Sequence, residues 1–542
     1  MQADIERAQG VRFRTCFERL ISGGVLSEEV GILKTTGLLS IIVVITKVLQ
    51  IAFLPVVASI FGTSSEFAGF IVAFSITSLF GGLVYGCFNT IFVPVFAEYK
   101  IREGEAPAWE FAGAFISVVT VIFIVLVFLG IVFSSGLVSL MVYGASAEFK
   151  ELGAGLTQLL FLASVFTLLL SICTAVHYSY KSFIVPSVAV LSGAAVLLIT
   201  VIAVKGGIGI YVLPLALMLS GLVSFLSAAF SMPRMKRIGI RLSAAFTHHS
   251  IRRVGLMMFL ISLSGILGQF GMMINRFFAS YLDEGSIAVL EYAYRFVSTV
   301  CEFIAATLVV PLFQKMSSES VLDEYDKVQN TFFLGIKMTS VVLIPLTFFA
   351  VLLRMPVFNV LLEYGRFTVR DTEEVASVFL YLSPAMLGIG FSQIIGNAFL
   401  ALRKANHALV ISFCFVLLNG LLDVVLFRSM GVRGLALATG LASCIITVSA
   451  FLVFVRLTGA LRRDRLSGFL SKTVISAVLS SAAGWLVFYR LMSAVDTAQT
   501  VKLCVSAAVS VVVYAALMSA FKVSEINFVI DIIRGKIKAS LK

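Results

Sequence analysis

The sequence predicts an all-α polytopic membrane protein with fourteen transmembrane helices, arranged as two parallel six-helix lobes plus a C-terminal helix pair. Hydrophobic residues make up 59% of the 542 positions and charged residues 13%, about half the usual ~25% of soluble domains. The apolar residues fall repeatedly in runs of about 20, the length that crosses a bilayer as a helix. A soluble multidomain protein and a disordered chain are both excluded, because neither is built from such runs.

Fourteen apolar spans follow one another along the chain, and each is long and continuously apolar. Strands of a membrane barrel would be about 10 residues long with polar alternation, so these spans are interpreted as helices. They cover residues 34–61, 66–97, 111–142, 153–177, 183–203, 207–231, 254–281, 286–314, 329–353, 373–402, 407–427, 432–455, 468–489 and 501–521.

The basic residues between the spans predict which ends face the cytoplasm. With the N-terminus inside, the inner segments contain 28 lysines and arginines and the outer loops contain 9. Cytoplasmic loops are enriched in these residues, so both termini of this multi-pass protein are predicted to be cytoplasmic. The same bias accounts for most of the net charge of +12. No nucleic-acid partner is therefore expected.

Sequence landmarks that recur at nearly one offset indicate an internal duplication. Pro94 and Pro311 are 217 positions apart, and the Tyr-Gly pair at 143–144 recurs 221 positions later at 364–365. Six spans separate equivalent positions, so the two copies have the same orientation in the membrane. The predicted division is a cytoplasmic N-terminal segment 1–33, an N-lobe 34–231, a basic cytoplasmic linker 232–253, a C-lobe 254–456, a helix pair 457–521 and a basic cytoplasmic tail 522–542.

The sequence contains no motif of a known catalytic or metal site. It lacks G-x-x-x-x-G-K-[ST] and H-E-x-x-H, and its seven cysteines are scattered without a C-x-x-C pair. No soluble insert is long enough to house a catalytic domain. Two parallel lobes are the plan of a transporter, so we expect a transporter rather than an enzyme, with no cofactor and no metal.

Charged residues within the spans are the candidates for substrate binding, because each is costly in a bilayer unless it is paired or hydrated. Glu291, Arg295 and Glu302 of span 8 are spaced by four and seven residues, which places them on one helical face. Two interpretations remain open for this stripe: a polar wall for an anionic substrate, or a salt bridge between helices. The candidate substrate-binding residues are Lys47, Arg276, Glu291, Arg295 and Ser298.

Several motifs together resemble one known family. The stretches FASYL at 278–282, GS at 285–286 and YAYRF at 292–296 resemble its pattern "FAS-L--GS----YADRL". LEYGRFT at 362–368 is similar to its "-YG-FT" loop, and FVPVFAEYK at 92–100 is close to the end of its second helix. The family is MurJ/MviN, the lipid II flippases of the multidrug/oligosaccharidyl-lipid/polysaccharide exporter superfamily. The resemblance covers about residues 40–456.

The resemblance implies two six-helix bundles around a central cationic cavity that opens alternately to the two sides. The implied function is a flippase that moves undecaprenyl-pyrophosphate-linked peptidoglycan precursor (lipid II) from the inner to the outer leaflet of the bacterial cytoplasmic (inner) membrane. The implied partners are lipid II or a related lipid-linked precursor, the membrane, and proteins of cell-wall synthesis or division. Lys47, Arg276 and Arg295 would hold the pyrophosphate, and Glu291 would position Arg295.

Some charged positions of the family pattern differ in this chain. The pattern "SR-LGF-RD" of the first helix is TKVLQIAFL at 46–54, which keeps a base at Lys47 and has Phe53 at the second basic position. The acidic residue before Arg295 is replaced by Tyr294. Alternative functions are therefore a flippase or exporter for another polyprenyl-linked glycan or small molecule of the same superfamily, or a non-transporting cell-wall scaffold.

Overall fold

The computed structural model describes residues 24–204, 207–231, 269–283, 285–321, 325–402, 404–459, 463–492 and 497–521. Within these ranges every regular element is a helix. Twelve of these helical stretches are long and apolar enough to cross a membrane, and each matches one predicted span. A shorter apolar helix at Ser65–Gly81 matches span 2, and residues 254–268 of span 7 lie outside the described residues. The predicted fold class is confirmed.

The first half of the chain contributes the helices α1 to α8. Their bounds are Gly24–Phe61, Ser65–Cys87, Val93–Arg102, Glu105–Val132, Ser134–Met141, Ala147–Ser179, Ile184–Ala203 and Val212–Phe230. A π-helical turn at Phe88–Phe92 joins α2 to α3. Helix α1 begins at Gly24, and its stretch that is apolar enough to cross a membrane is Ile41–Phe61; the predicted division of the chain at residue 34 stays a prediction. Residues 1–23 of that segment lie outside the described residues.

The second half contributes α9 to α18. Helix α9 is described over residues 269–279. The bounds of α10 to α18 are Gly285–Ile304, Val310–Val321, Tyr325–Leu352, Arg354–Leu362, Val369–Ala401, Ala405–Met430, Val432–Thr458, Arg463–Leu486 and Gln499–Ala520. A second π-helical turn at Ala305–Val309 joins α10 to α11. The predicted linker 232–253 and tail 522–542 lie outside the described residues.

Predicted span 3, residues 111–142, is two helices rather than one. The chain leaves helical geometry at Phe133, between α4 and α5. Two serines and Gly136 follow the break, and these residue types favour the helix interior less than Ala or Leu does. A short helix that was not predicted, α13, likewise follows α12 after Leu353. Pro356 lies in the first turn of α13, where its missing N–H costs no helical hydrogen bond.

The two halves repeat the same unusual elements. Two of the three π-helical turns in the described residues, at Phe88–Phe92 and Ala305–Val309, are followed directly by a Val-Pro pair that contains Pro94 or Pro311. The third, at Val487–Leu491, is followed by Met492. A short helix and then a helix of 33 residues occur as α5 and α6, and again as α13 and α14. Proline has no N–H to donate to the carbonyl four residues earlier, which accounts for the widened turn just before it. These repeats support the proposed duplication.

Small residues bring neighbouring helices into close contact. A Cβ on Gly388 of α14 would overlap Ser443 of α16, and a Cβ on Gly193 of α7 would overlap Ser224 of α8. Aromatic rings fill the remaining space, for example Phe332 of α12, whose ring centroid lies 4.0 Å from that of Phe454 on α16. Close packing of this kind replaces the hydrophobic effect as the force that associates helices in lipid.

Among the described residues, the hydrogen bonds between the lobes lie, with one exception, at one end of the bundle, which we call the closed end. The Arg366 N–H donates to the Ser59 carbonyl at 2.8 Å. The Tyr292 hydroxyl donates to the Gly62 carbonyl at 2.9 Å, and its ring stacks on Phe67 with centroids 5.2 Å apart. The closed end therefore holds α1 and α2 against α10 and the loop before α14.

A carboxylate links the lobes at the closed end and also caps a helix. Asp371 accepts from the backbone N–H of Thr368 at 2.7 Å, which forms one half of the capping box of α14. Its other oxygen accepts from the hydroxyl of Thr63, in the loop between α1 and α2. The Gly144 N–H donates to the Ser280 hydroxyl at 3.2 Å and adds a further contact between the halves. The loops of the closed end are thus fixed by polar contacts.

Candidate functional site

A cavity of about 700 Å³ lies between the two lobes. Its walls come mainly from α1, α2, α10 and α13. Most lining side chains are apolar, including Phe53, Phe67, Phe74, Phe296, Phe303 and Phe358. The charged lining side chains are Lys47, Glu291, Arg295 and Glu302. A mostly apolar cavity with a few convergent polar groups is the usual form of a ligand site.

Two arginines share one carboxylate at the wall of this cavity. Arg276 of α9 donates to Glu291 of α10 at 2.7 Å, and both side chains are 9% exposed. Arg295, one turn further along α10, donates to the other oxygen of Glu291 at 3.1 Å. The Arg295 side chain is 44% exposed. Glu291 therefore orients Arg295, and further guanidinium N–H groups of Arg295 are left for a ligand in the cavity.

A second ion pair crosses between the lobes. Lys47 of α1 and Glu302 of α10 are 3.3 Å apart, from Nζ to Oε2. Their side chains are 41% and 55% exposed. This pair is the exception to the clustering of contacts between the lobes at the closed end. Because both groups line the cavity and face solvent, either can exchange its partner for a ligand.

The structure brings three of the five predicted site residues to the cavity wall. Lys47, Glu291 and Arg295 all line it. Arg276 is buried on the far side of Glu291 and is absent from the described lining. Because α9 packs behind α10, Arg276 is linked to the cavity only through its hydrogen bond to Glu291.

Ser298, the fifth predicted residue, also lies off the described cavity wall. Its hydroxyl donates to the backbone carbonyl of Arg295 at 3.1 Å. Successive residues of a helix are rotated by about 100° about its axis. Viewed down α10, the middle of the face that lines the cavity is therefore about 40° from Arg295, on the side of Thr299. Ser298 lies on the opposite side of Arg295, so Thr299 takes the place in the lining that was predicted for Ser298.

Sequence reasoning identified Glu302 as an intramembrane charge but missed its partner. Lys47 and Glu302 are 255 positions apart in the sequence. The signal available was that Glu302 lies two helical turns from Arg295 on the same face, which predicts that it lines the cavity. Pairing across the lobes depends on how α1 approaches α10, and no local pattern specifies that approach.

A polar network within the C-lobe joins three helices. The Asn419 amide of α15 donates to Asn275 of α9 at 2.9 Å and to Asp423 at 3.0 Å. The Asn275 amide donates to Thr439 of α16 at 2.8 Å. Asn419 and Asp423 are fully buried. Hydrogen bonds of this kind hold helices together in lipid, and the network fixes α9, which carries Arg276.

A family model described as lipid II flippase MurJ matches residues 57–506 of the chain. The chain belongs to the MurJ family. The matched residues include the whole of α10 and α14 and all of the described C-lobe. The family resemblance inferred from the motifs is confirmed, and membership of a family of flippases makes the chain a transport protein rather than an enzyme.

Curated MurJ relatives align over most of their length. The lipid II flippase MurJ of Burkholderia cenocepacia is 26% identical over 426 residues, which cover 75% of this chain and 81% of the relative. The probable lipid II flippase MurJ of Synechocystis sp. is 24% identical over 476 residues, which cover 83% of this chain and 86% of the relative. The similarity therefore extends well beyond the motifs around α10.

Solved structures share the fold at low sequence identity. A structure described as lipid II flippase MurJ in an inward closed conformation superposes with a TM-score of 0.72 at 20% identity, covering 89% of this chain and 98% of that one. An inward-facing multidrug resistance MATE family transporter of the MOP superfamily gives a TM-score of 0.64 at 15% identity, covering 78% of this chain and 95% of that one. MurJ and MATE proteins thus share the two-lobe architecture found here.

Proposed function

We propose that this MurJ-family protein moves lipid II from the inner to the outer leaflet of the bacterial cytoplasmic membrane by alternating access. The observation that carries the proposal is the cavity between the lobes, where Arg295 and Lys47 place cationic groups, each beside a carboxylate, in a mostly apolar space. A diphosphate headgroup requires such groups, and Arg can bind phosphate oxygens in a bidentate manner. The family match to lipid II flippases supports this choice of substrate.

The residues of the cavity then take distinct roles. Arg295 and Lys47 contact the pyrophosphate directly, and Glu291 positions Arg295 through their hydrogen bond at 3.1 Å. Arg276, which the sequence assigned to the pyrophosphate, acts in this conformation by holding Glu291 at 2.7 Å. Ser298 acts only through the backbone of α10, since its hydroxyl binds the carbonyl of Arg295.

The distribution of basic residues supports an orientation with both termini in the cytoplasm. In that orientation the closed end lies on the periplasmic side. The cavity would then receive its substrate from the cytoplasmic side, and separation of the loops at the closed end would release the substrate outwards. Lipid II and the membrane are the proposed partners, and association with proteins of cell-wall synthesis or division remains a prediction.

Arg295→Ala tests the function in a bacterium depleted of its own MurJ flippase. We expect the wild-type chain to restore growth and the variant to fail at equal protein level, because the exposed cationic group for the diphosphate is removed. Arg370→Ala is the control, since Arg370 is 88% exposed and pairs only with Glu374 among the described residues. Growth restored by Arg295→Ala would overturn the assigned role.

A binding experiment separates the alternative functions. The MATE structures share this fold, which keeps a small-molecule exporter as the second candidate. Purified protein that binds lipid II and not a set of neutral drugs supports the flippase, the reverse result supports the exporter, and binding of neither supports a scaffold. Accumulation of lipid II in the inner leaflet after depletion of the protein would give the same answer in cells.

A further inference from the structure

The Lys47–Glu302 pair lies at the end of the cavity opposite the closed end. Gly62 and Thr63 of the first loop contact Tyr292 and Gly285 at the closed end. From there, Lys47 is 15 residues back along α1 and Glu302 is 17 residues along α10 from Gly285. At 1.5 Å per residue, the pair is roughly 25 Å from the closed end. It therefore spans the mouth of the cavity.

The pair has the properties of a contact that opens and closes rather than those of a structural salt bridge. The structural pair in this region, Arg276–Glu291, is short and its side chains are 9% exposed. The Lys47 Nζ and Glu302 Oε2 atoms are farther apart, at 3.3 Å, and both side chains are about half exposed. Exposed ion pairs contribute little to stability, so they exchange partners at small cost.

The charges of the cavity leave no free site for an anion on Lys47. Glu302 already supplies a carboxylate to the Lys47 ammonium. Arg295 differs from Lys47, because its carboxylate partner Glu291 also pairs with Arg276. One carboxylate shared by two arginines does not neutralise the whole charge of Arg295. An entering anion can therefore bind Arg295 directly but must displace Glu302 to reach Lys47.

We propose that Glu302 is a built-in competitor for the anionic headgroup, which holds Lys47 across the mouth of the empty cavity and releases it to a diphosphate. This inference rests on the proposed function, because it assumes a diphosphate substrate. A diphosphate bears charge on two phosphate groups and can engage Arg295 and Lys47 together, which compensates for the lost pair. A phospholipid with one phosphodiester can occupy Arg295 alone and leaves the mouth closed. Glu302 thus makes opening of the mouth depend on the headgroup charge.

Pyrophosphate binding to the full-length protein in nanodiscs tests the competition. We expect Glu302→Gln to lower the Kd about two- to fivefold, the range that corresponds to an exposed ion pair. Lys47→Gln should raise the Kd, because it removes a cation that the anion contacts. Glu374→Gln, which breaks the exposed pair with Arg370, is the matched control and should leave the Kd unchanged. An unchanged or raised Kd in Glu302→Gln would overturn the proposal.

Thiol labelling tests closure of the mouth. Thr299→Cys places a reporter on the cavity wall, and peptide mass spectrometry separates its labelling from that of the native cysteines. Without ligand, Glu302→Gln should increase the labelling rate several-fold, and the charge swap Lys47→Glu with Glu302→Lys should restore the slow rate. An equal rate in Glu302→Gln and wild type would contradict a closed mouth.

Both measurements are independent of lipid transport. If Arg295→Ala still restored growth, the proposed function would fail while the binding and labelling results could still support the competitor. If Arg295→Ala abolished growth but Glu302→Gln changed neither Kd nor labelling, the competitor would fail and the flippase would stand.

Discussion

At the scale of single residues, Glu291 is the side chain that connects the buried and exposed arginines of the site. It accepts from a buried arginine on another helix and from an exposed arginine on its own helix, at 2.7 Å and 3.1 Å. The buried bond fixes the carboxylate, and the carboxylate in turn fixes the exposed guanidinium of Arg295. Glu291 therefore has two roles: it holds α9 against α10, and it orients Arg295 towards the cavity.

Glu291→Gln should lower the stability of the protein strongly. Removal of the negative charge leaves the Arg276 guanidinium buried without a counter-ion, which typically costs about 3–5 kcal/mol. The melting temperature of the purified protein measures this loss. Glu302→Gln is the control, since its exposed pair contributes at most about 1 kcal/mol. Equal melting temperatures for Glu291→Gln and wild type would contradict a buried ion pair.

The sequence predicted the local part of this site and missed the long-range part. Spacing of four residues predicted the contact between Glu291 and Arg295, because helical geometry alone places them together. The position of Arg276 behind Glu291 depends on the packing of α9, and the pairing of Lys47 with Glu302 depends on the approach of two lobes. These contacts arise only when the tertiary fold is complete.

At the scale of helices, the most informative elements are the two π-helical turns that precede Pro94 and Pro311. Each interrupts a helix that contributes to the cavity wall, α2 or α10, and each precedes a Val-Pro pair. The long apolar runs predicted both helices but not the π-helical turns within them. Hydropathy did not predict the break at Phe133, because the short helix α5 beyond it is still largely apolar.

Pro311→Ala should regularise the second π-helical turn. Alanine supplies the N–H that proline lacks, and loss of the extra residue in the turn would rotate α11 by about 100°. That rotation would move Glu319 away from Thr331. The Thr331 hydroxyl donates a hydrogen bond to the Glu319 carboxylate at 2.8 Å, and this bond would be lost. We expect a lower melting temperature and weaker growth in the depleted bacterium.

Pro356→Ala is the control for this experiment, because a proline in the first turn of a helix replaces no hydrogen bond. The interpretation would be refuted if Pro311→Ala melted at the wild-type temperature and restored full growth.

At the scale of the whole molecule, the closed end determines the conformation. Its contacts are backbone and side-chain hydrogen bonds between the loops of the two lobes, and Gly365 permits the one between Arg366 and Ser59. Gly365 has a φ of +61°, and a Cβ there would overlap the Ser59 carbonyl oxygen. The conformation that a transporter adopts is a property of such inter-lobe contacts, so the pattern of spans could not predict it.

Gly365→Ala should therefore open the closed end. The added methyl group displaces Ser59, and the hydrogen bond from the Arg366 N–H to the Ser59 carbonyl is lost. Hydrogen exchange of the peptide that contains Arg366, measured in nanodiscs, should become faster. Gly396→Ala is the control, since a Cβ at that position meets only open space. Unchanged protection at Arg366 would show that the closed end does not depend on this glycine.

The balance of charges at the cavity wall has an electrical consequence. The charged lining residues described are two cations and two carboxylates, so their formal charges sum to zero. A charge that crosses the bilayer experiences the membrane potential at about 2.3 kcal/mol per 100 mV. With the buried Arg276 counted, the cluster carries one net positive charge, which offsets part of the negative charge of a bound headgroup. The loaded step carries the negative headgroup outwards, in the direction that an inside-negative potential favours.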